Sequence, residues 1–373
     1  MPIDAADLPA LTRTVLWCTF ALAFVFGMVV RKTHFCTMGA VADLVNFGDW
    51  TRMRQWLMAI GVAVIGTGLL AASGTIDLGQ SIYTGPRLLL LGYVTGGVLF
   101  GIGMVLAGGC GSKSLVRVGG GSLKSLVVVL VLGITAYITL RGALAVLRVT
   151  AIEPVAVHLS TTQDLPSLAA AAGGVSRATW QWLLALAAGG ALLFFALAPR
   201  AFRRVDNLLA GFVVGGVIVA MWFVSGHLGH LAEHPVTLDR AYLGTHTGKM
   251  EALSFVAPIA YALDWLMFYS DRGRVLTTGP VAVLGVLAGS LAWSLARGEF
   301  RWEGFRDTED TANHIAGGAL MGFGGVLAMG CTVGQGLSGL STLALGSIIA
   351  WLSIIGGAVL GLRYQAWRVE RGS

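Results

Sequence analysis

Two cysteines that lie far apart in the chain stand in nearly identical surroundings. Cys110 lies in VLAGGCGSKSLV and Cys331 in VLAMGCTVGQGL, and each interrupts an apolar run at a group of glycines. Because glycine permits sharp backbone reversals, both stretches predict that one helix ends and a short second helix begins at the cysteine. A thiol is a soft, weak hydrogen-bond donor, and a helix N-terminus adds partial positive charge. This arrangement would suit an anion with a soft end, such as a sulfur anion.

The same residues also fit a plainer interpretation, in which cysteine is a small apolar filler and the glycines allow close helix packing. We accept that interpretation for most of the upstream glycines, but the duplication and the hydroxyl or amide neighbours favour function for the two cysteines. The candidate path residues are Cys110 with Gly109, Gly111, Ser112, Lys113 and Arg117, and Cys331 with Gly330, Thr332, Gly334, Gln335 and Gly336.

The two copies of the motif differ in charge. Lys113 and Arg117 follow Cys110 by three and seven residues, so a helix would place them near one face with the thiol. At these positions the second copy has Gly334 and Ser338. The cations would either attract an anion into a vestibule or anchor the segment at the cytoplasmic surface, and the sequence favours neither role.

Three further residues bear on the chemistry. Cys36, in RKTHFCTMGA, has Ala257 as its counterpart in the repeat described below, and a functional role is only slightly favoured over packing. Cys18 lies within an apolar run without polar company and is interpreted as packing. Asp264 is a carboxylate in an apolar stretch, where it is either functional or close to the interface.

A histidine cluster, SGHLGHLAEH, has a spacing that resembles a metal-ligand face. Its members are His227, His230 and His234. Because the loop is short and Pro235 follows, we expect solvated or locally bonded histidines instead. The sequence therefore predicts neither a metal site nor a cofactor.

The elements that must position these residues are membrane spans. Of the 373 residues, 55% are hydrophobic and only 12% are charged, whereas a soluble domain carries about 25% charged residues. The net charge of +6 comes from basic residues at span ends, which indicate orientation rather than nucleic-acid binding. Apolar runs of about 20 residues are long enough to cross a bilayer. They predict nine spans: Leu11–Val30, Trp56–Ala72, Leu88–Ala107, Leu123–Leu147, Trp180–Ala198, Leu208–Val224, Thr277–Ala296, Ala312–Met329 and Ser347–Tyr364.

An internal repeat relates the two cysteine motifs. Displacing the chain by 221 residues aligns Gly96–Cys110 with Gly317–Cys331, and ten of these fifteen positions are identical. Internal duplication is typical of transporters. We predict one integral membrane domain in which residues 11–148 and 207–369 are the two copies and residues 180–199 form a connecting span.

Basic residues predict the orientation of the two copies. Cytoplasmic loops are enriched in Lys and Arg, and APRAFRRVDN, ARGEFRWEGFR, TRMR and the C-terminal tail are rich in them, whereas residues 150–179 hold one Arg. These assignments agree only if His34–Phe47 and Glu251–Tyr269 do not cross. We therefore predict re-entrant segments there, the second of them a pair of half-helices. The copies are then inverted, with the N-terminus outside, the C-terminus in the cytoplasm, and the DRGR segment Asp271–Arg274 outside.

Four stretches together resemble the YeeE/YedE family of membrane proteins, which includes thiosulfate transporters: RKTHFCTMGA, GGCGSKSLVRVGGGSLKS, GEFRWEGF and LMGFGGVLAMGCTVGQGLSGLS. The resemblance implies an hourglass-shaped, all-α polytopic protein of the bacterial inner membrane, built from an inverted repeat. It also implies import of thiosulfate into the cytoplasm past Cys110, Cys331 and Cys36, whose thiols pass the anion along by S–H···S hydrogen bonds without covalent chemistry. Family members often work beside a small TusA-like sulfur-carrier protein.

Other classes of function remain open. An intramembrane thiol enzyme, such as a disulfide oxidoreductase or a sulfurtransferase, needs a CxxC motif or a base beside the nucleophile. The sequence has no CxxC motif, and no histidine lies close to Cys110 or Cys331 along the chain. Uptake of a soft metal needs sulfur ligands, and the basic residues after Cys110 disfavour a cation path. Uptake of a selenium compound is a further variant. The sulfur-bearing candidates for a metal path are Cys36, Cys110, Cys331, Met104 and Met329.

Overall fold

Helices make up most of the computed structural model, which describes residues 7–235, 237–271 and 273–372. Residues 1–6 of the acidic N-terminus and Arg272 of the DRGR segment lie outside these ranges. The helices are α1 (Leu8–Thr33), α2 (Thr37–Phe47), α3 (Thr51–Ala72), α4 (Leu90–Leu106), α5 (Gly111–Gly119), α6 (Leu123–Arg141), α7 (Ala143–Leu147), α8 (Leu165–Ala172), α9 (Arg177–Leu197), α10 (Val205–Phe223), α11 (Ala257–Met267), α12 (Thr278–Ala296), α13 (Thr308–Leu327) and α14 (Leu345–Gly372).

Other regular structure is short. Three π-helical turns occur at Arg148–Ile152, Val224–Leu228 and Gly334–Gly339, and 3-10 turns occur at Leu78–Gln80 and Arg200–Phe202. Two antiparallel pairs of two-residue strands join β1 (Arg87–Leu88) to β2 (Val157–His158) and β3 (His230–Leu231) to β4 (Ala241–Tyr242).

Each of the nine predicted spans forms a helix, although the span predicted at Leu123–Leu147 is divided at Gly142 into α6 and α7. In the described chain, eight helical segments are long and apolar enough to cross a membrane, and α13 is the predicted span that does not qualify. Helix α13 begins with the polar sequence TEDTANH and contains many glycines, which lower its hydropathy. It packs against both α4 and α6, so protein rather than lipid surrounds much of it. The chain is an all-α polytopic membrane protein, as predicted.

Helices at equivalent positions of the two predicted copies exchange partners. Helix α4 packs on α14 while α13 packs on α6, and α1 packs on α12 while α10 packs on α3. Helices α4 and α13 also pack on each other in antiparallel directions. A Cβ on Gly96 would lie 2.5 Å from the Ala328 nitrogen, and one on Gly103 would lie 2.7 Å from the Gly317 oxygen. Two copies of opposite orientation would produce this packing, while α9 packs on α3 and α8.

Short helices occupy the segments that were predicted not to cross. Helices α2 and α11 have 11 residues each, which corresponds to about 16 Å against a hydrocarbon core of about 30 Å. The prediction of two half-helices in Glu251–Tyr269 is wrong in one respect, since an extended segment at residues 251–254 precedes the single helix α11. Pro258 lies in the first turn of α11, where its missing N–H has no helical partner to lose.

Ion pairs group the loops at the two ends of the helices. Arg31 at the end of α1 pairs with Glu299 after α12 at 3.6 Å, and Arg368 near the end of α14 pairs with Glu309 at the start of α13 at 2.8 Å. These residues mark one end of the molecule. At the opposite end, Arg274 pairs with Asp264 at 3.1 Å. The basic segments ARGEFRWEGFR and the C-terminal tail therefore share one end, and Arg274 of DRGR lies at the other.

Candidate functional site

Two of the candidate cysteines cap short helices in the same way. The Sγ atom of Cys36 accepts a hydrogen bond from the Gly39 nitrogen at 3.4 Å at the start of α2. The Sγ atom of Cys331 accepts one from the Gly334 nitrogen, also at 3.4 Å. Both thiols are buried, and each lies at a helix N-terminus, where backbone N–H groups give partial positive charge.

Cys110 lies between the other two thiols. It precedes α5 in extended conformation, and its Sγ atom is 3.2 Å from the Ser112 hydroxyl. It is close enough to interact electrostatically with both Cys36 and Cys331, and the Thr332 hydroxyl lies beside it. The structure thus brings together three cysteines that lie 74 and 221 residues apart in the sequence (110 − 36 and 331 − 110).

Cys18 does not belong to this series. It is half-buried on α1, a full helix length from the turn at His34 that precedes Cys36. The prediction that Cys18 serves packing is consistent with this position.

The helix after Cys331 differs from the helix after Cys110. Residues 334–339 form a π-helical turn, whereas α5 is α-helical. The Gln335 amide nitrogen donates to the Ala328 oxygen at 2.5 Å and so ties this turn to the end of α13. Gly336 faces the Trp351 ring, where an added Cβ would lie 2.7 Å from its Nε1 atom. Gln335 and Gly336 therefore shape the break and its packing, and Gly330 lies at its outer edge.

The cations of α5 lie beside the thiols, as the helical spacing predicts. The Lys113 side chain passes Gly109, with Cγ 3.2 Å from the position of an added Cβ, and the ammonium is within electrostatic range of Cys36 and Cys110. The Arg117 guanidinium reaches back to Gly108, 3.3 Å from its added Cβ. Gly111 faces Leu132 of α6 at 3.4 Å in the same terms. Lys113 is thus the cation nearest to the thiols in this helix.

A groove at the inner end continues from Arg117. The GEFRWEGF segment lies along the start of α6, where the Leu123 nitrogen donates to the Glu303 oxygen at 2.9 Å. The groove is about 320 Å³ in volume. Lys124, which donates to the Glu303 carboxylate at 2.6 Å, keeps the pKa of that carboxyl below its usual range. Its lining includes Arg31, Arg117, Arg301 and the exposed Trp302.

An outer cavity of about 360 Å³ opens on the other side of the thiols. Met329, Gly330 and Ser254 line its inner part, directly before Cys331. Its polar lining includes Arg148, His246, Lys249 and Glu251. Burial lowers the pKa of His246, so this histidine is neutral at pH 7 and the cavity's cations are Arg148 and Lys249.

Sequence reasoning missed the residues of the outer cavity. Arg148 lies in a π-helical turn, where it pairs with Glu153, and Lys249 lies in an irregular loop. Both positions lack a periodic pattern that would link them to the cysteines. Their separation from Cys331 along the chain is bridged only by tertiary packing.

The remaining predicted candidates have local partners. The Asp264 carboxylate accepts from the Tyr137 hydroxyl at 2.6 Å and pairs with Arg274 at 3.1 Å, so it fastens α11 to α6 and to the segment after α11. The three histidines do not share a helical face, because the helix ends at Leu228 and the next histidine lies in β3. His227 stacks on Phe223 and His230 packs on Tyr242, while His234 accepts a hydrogen bond from the Thr237 nitrogen.

The helices and the buried thiol series define a polytopic membrane protein with the architecture of a transporter. The chain belongs to the sulphur transport family, whose sequence profile matches residues 32–360. The resemblance found in the motifs is thereby confirmed. Relatives include the thiosulfate transporter TsuA of Spirochaeta thermophila, 26% identical over 96% of this chain and 100% of that protein. The thiosulfate transporter TsuA of Escherichia coli is 25% identical over 92% of this chain and 91% of that protein.

Proposed function

We propose that this protein imports thiosulfate across the bacterial inner membrane into the cytoplasm. The observation that carries the proposal is the series of three buried thiols, each at the start of a short helix, between an outer cavity and an inner cationic segment. The names of both relatives support thiosulfate as the substrate. In this proposal the anion passes Cys331, then Cys110, then Cys36 beside Lys113.

The thiols suit a divalent sulfur anion because they offer hydrogen bonds without adding charge. The thiosulfate terminal sulfur is a soft acceptor, and each S–H group is a weak donor. Weak contacts at several sites allow an ion to enter and also to leave. The partial positive charge of each helix N-terminus offsets the loss of water around the anion. No bond to sulfur forms or breaks, so the substrate arrives unchanged.

A sulfurtransferase is the second candidate, and the surroundings of Cys331 disfavour it. Nucleophilic attack needs a thiolate with an adjacent base. The groups beside Cys331 are the Gly334 and Phe255 backbone N–H groups and the Tyr83 side chain. Recovery of chemically unchanged thiosulfate inside vesicles would separate the two candidates.

The proposed topology has the Arg31 end in the cytoplasm. The basic segments that share this end follow the enrichment of Lys and Arg in cytoplasmic loops. The N-terminus is then outside and the C-terminus inside, with residues 11–148 and 207–369 as inverted copies and residues 180–199 as the connecting span. The exchange of helix partners and the antiparallel packing of α4 on α13 support this division.

A small TusA-like sulfur carrier is the proposed cytoplasmic partner. It would receive thiosulfate at the inner groove, where Arg31, Arg117 and Arg301 surround the exposed Trp302. Cations and an exposed aromatic side chain are typical of protein interfaces.

Growth tests the proposed function directly. A cell that lacks its own sulfur-uptake systems should grow on thiosulfate as the sole sulfur source when this protein is present. The same cell carrying the empty vector should not grow, whereas both should grow on cysteine. Failure of the first culture, with the protein present in the membrane, would contradict thiosulfate import.

Replacing Lys113 with glutamine should reduce thiosulfate uptake about tenfold. A contact between a cation and the anion contributes on the order of 1.4 kcal/mol, which is a factor of about ten. Initial rates of labelled thiosulfate uptake into vesicles measure this effect. Lys124→Gln is the matched control, because Lys124 pairs with Glu303 at the same end and does not face the thiols. Equal rates for Lys113→Gln and the wild type would show that this cation only anchors the segment.

A further inference from the structure

A tyrosine that the sequence motifs do not include lies beside Cys331. Tyr83 is 2% exposed, and its ring packs edge-on against Trp222 with centroids 6.2 Å apart. The loop that carries it is held against the extended segment before α11, where the Ile82 nitrogen donates to the Met250 oxygen at 3.3 Å. The side chain is close enough to Cys331 to interact with it electrostatically.

Gly334 allows two hydroxyl groups to come close to this thiol. A Cβ at Gly334 would lie 2.6 Å from the Ser254 Oγ atom and 3.4 Å from the Tyr83 hydroxyl. The Gly334 nitrogen itself donates to the Cys331 sulfur. Ser254 also lines the outer cavity. A hydroxyl-bearing passage therefore connects the outer cavity to Cys331.

Two hydroxyls in this region have no hydrogen-bond partner among the described residues. They are the Tyr83 hydroxyl and the Thr332 Oγ1 atom, both buried. Neighbouring hydroxyls are paired, since Ser338 donates to the Leu253 oxygen at 2.7 Å and Ser341 accepts from Trp222 at 2.8 Å. Burying an unpaired hydroxyl is costly. A ligand with oxygen acceptors that passes between Tyr83 and Thr332 would satisfy both groups.

We propose that Tyr83 and Thr332 bind the oxygen end of the anion while Cys331 and Cys110 face its sulfur end. Thiosulfate has one terminal sulfur and three oxygens, so it fits thiols and hydroxyls at the same time. The site thereby selects sulfur oxyanions with an exposed terminal sulfur, and it disfavours anions that lack either part. This inference rests on the proposed function.

The first copy of the repeat does not reproduce these hydroxyls. Displacement by 221 residues pairs Thr332 with Gly111 and Tyr83 with Gly304, whereas Gly334 corresponds to Lys113. Neutral hydroxyls thus lie on the outer side of the thiol series and cations on the inner side. Oxygen recognition occurs on entry, before the anion reaches Lys113.

Tyr83→Phe removes one hydroxyl and keeps the ring against Trp222. In vesicles with the purified protein, we expect the KM for labelled thiosulfate to rise about tenfold, with the maximal rate within about twofold of the wild type. Thr332→Val should also raise the KM, and Thr332→Ser, which keeps the hydroxyl, should restore it. Tyr242→Phe is the matched control, since Tyr242 is a buried tyrosine of the outer hairpin that packs on His230.

The outcomes separate this inference from the proposed function. An unchanged KM in Tyr83→Phe, while the wild type transports thiosulfate, would overturn the inference and leave the proposed function intact. A fall in the maximal rate at unchanged KM would overturn it too, because that pattern indicates a structural role. Absence of thiosulfate transport by the wild-type protein would overturn both.

Discussion

Replacing Cys331 with alanine should reduce thiosulfate uptake to the background of vesicles without the protein. Cys331 is fully buried at the junction between the outer cavity and the other thiols, so an anion on the proposed route meets it first. Alanine removes the S–H donor and leaves an apolar wall, and a divalent anion cannot cross such a wall without replacement of its hydration. Uptake of labelled thiosulfate, normalised to the amount of protein inserted, measures the loss.

Several variants show whether this loss is specific to the thiol. Cys110→Ala should have the same effect, because Cys110 lies between Cys331 and Cys36. Cys331→Ser tests polarisability, since it keeps a donor of similar size and loses the soft sulfur. Cys18→Ala is the control, because this half-buried cysteine of α1 lies outside the series. Normal uptake by both Cys331→Ala and Cys110→Ala would refute the thiol pathway.

Replacing Gly357 with valine should prevent stable folding. Helices α14 and α4 are in backbone contact at this position, and a Cβ on Gly357 would overlap the Val98 oxygen. Neither backbone can move aside without separating two long packed helices, and overpacking of this kind costs about 1–3 kcal/mol or more. The yield of monodisperse protein in detergent should fall severely, and the midpoint of thermal unfolding should drop by several degrees.

The neighbouring glycine provides a matched control for this substitution. Gly356 is exposed, and a Cβ there meets no described atom within 4 Å. Gly356→Val therefore makes the same chemical change one residue away, in the same helix. Equal yields of the two variants would mean that α4 and α14 do not pack as closely as the structure has them.

The helices and their breaks could be predicted from the sequence because their signals are local. Apolar runs define the spans, and the glycines beside Cys110 and Cys331 define the ends of α4 and α13. The predicted bounds were least accurate where local composition and packing disagree. Helix α13 is too polar to qualify as a span by composition, and its neighbours α4 and α6 supply the environment that its own sequence does not indicate.

The site could be predicted only in part. The duplicated motif revealed Cys110 and Cys331, and the helical period placed Lys113 beside them. Tyr83 and Ser254 could not be found in this way, because neither lies in a repeated motif and each reaches Cys331 through a tertiary contact. The histidines show the opposite error, since their spacing suggests one face while the backbone changes from helix to strand between them. The roles of the cysteines and of their neighbours stay predictions for the experiments above.

The exchange of helix partners has a consequence for biogenesis. During synthesis, α1 and α4 enter the bilayer well before α12 and α14, the helices against which they finally pack. The glycine-lined faces of the early helices must wait, covered by lipid or by an insertion factor, until the last span emerges from the ribosome. Neither half of the chain is an autonomous folding unit, so any ancestor that contained one copy would have needed a second subunit to complete it.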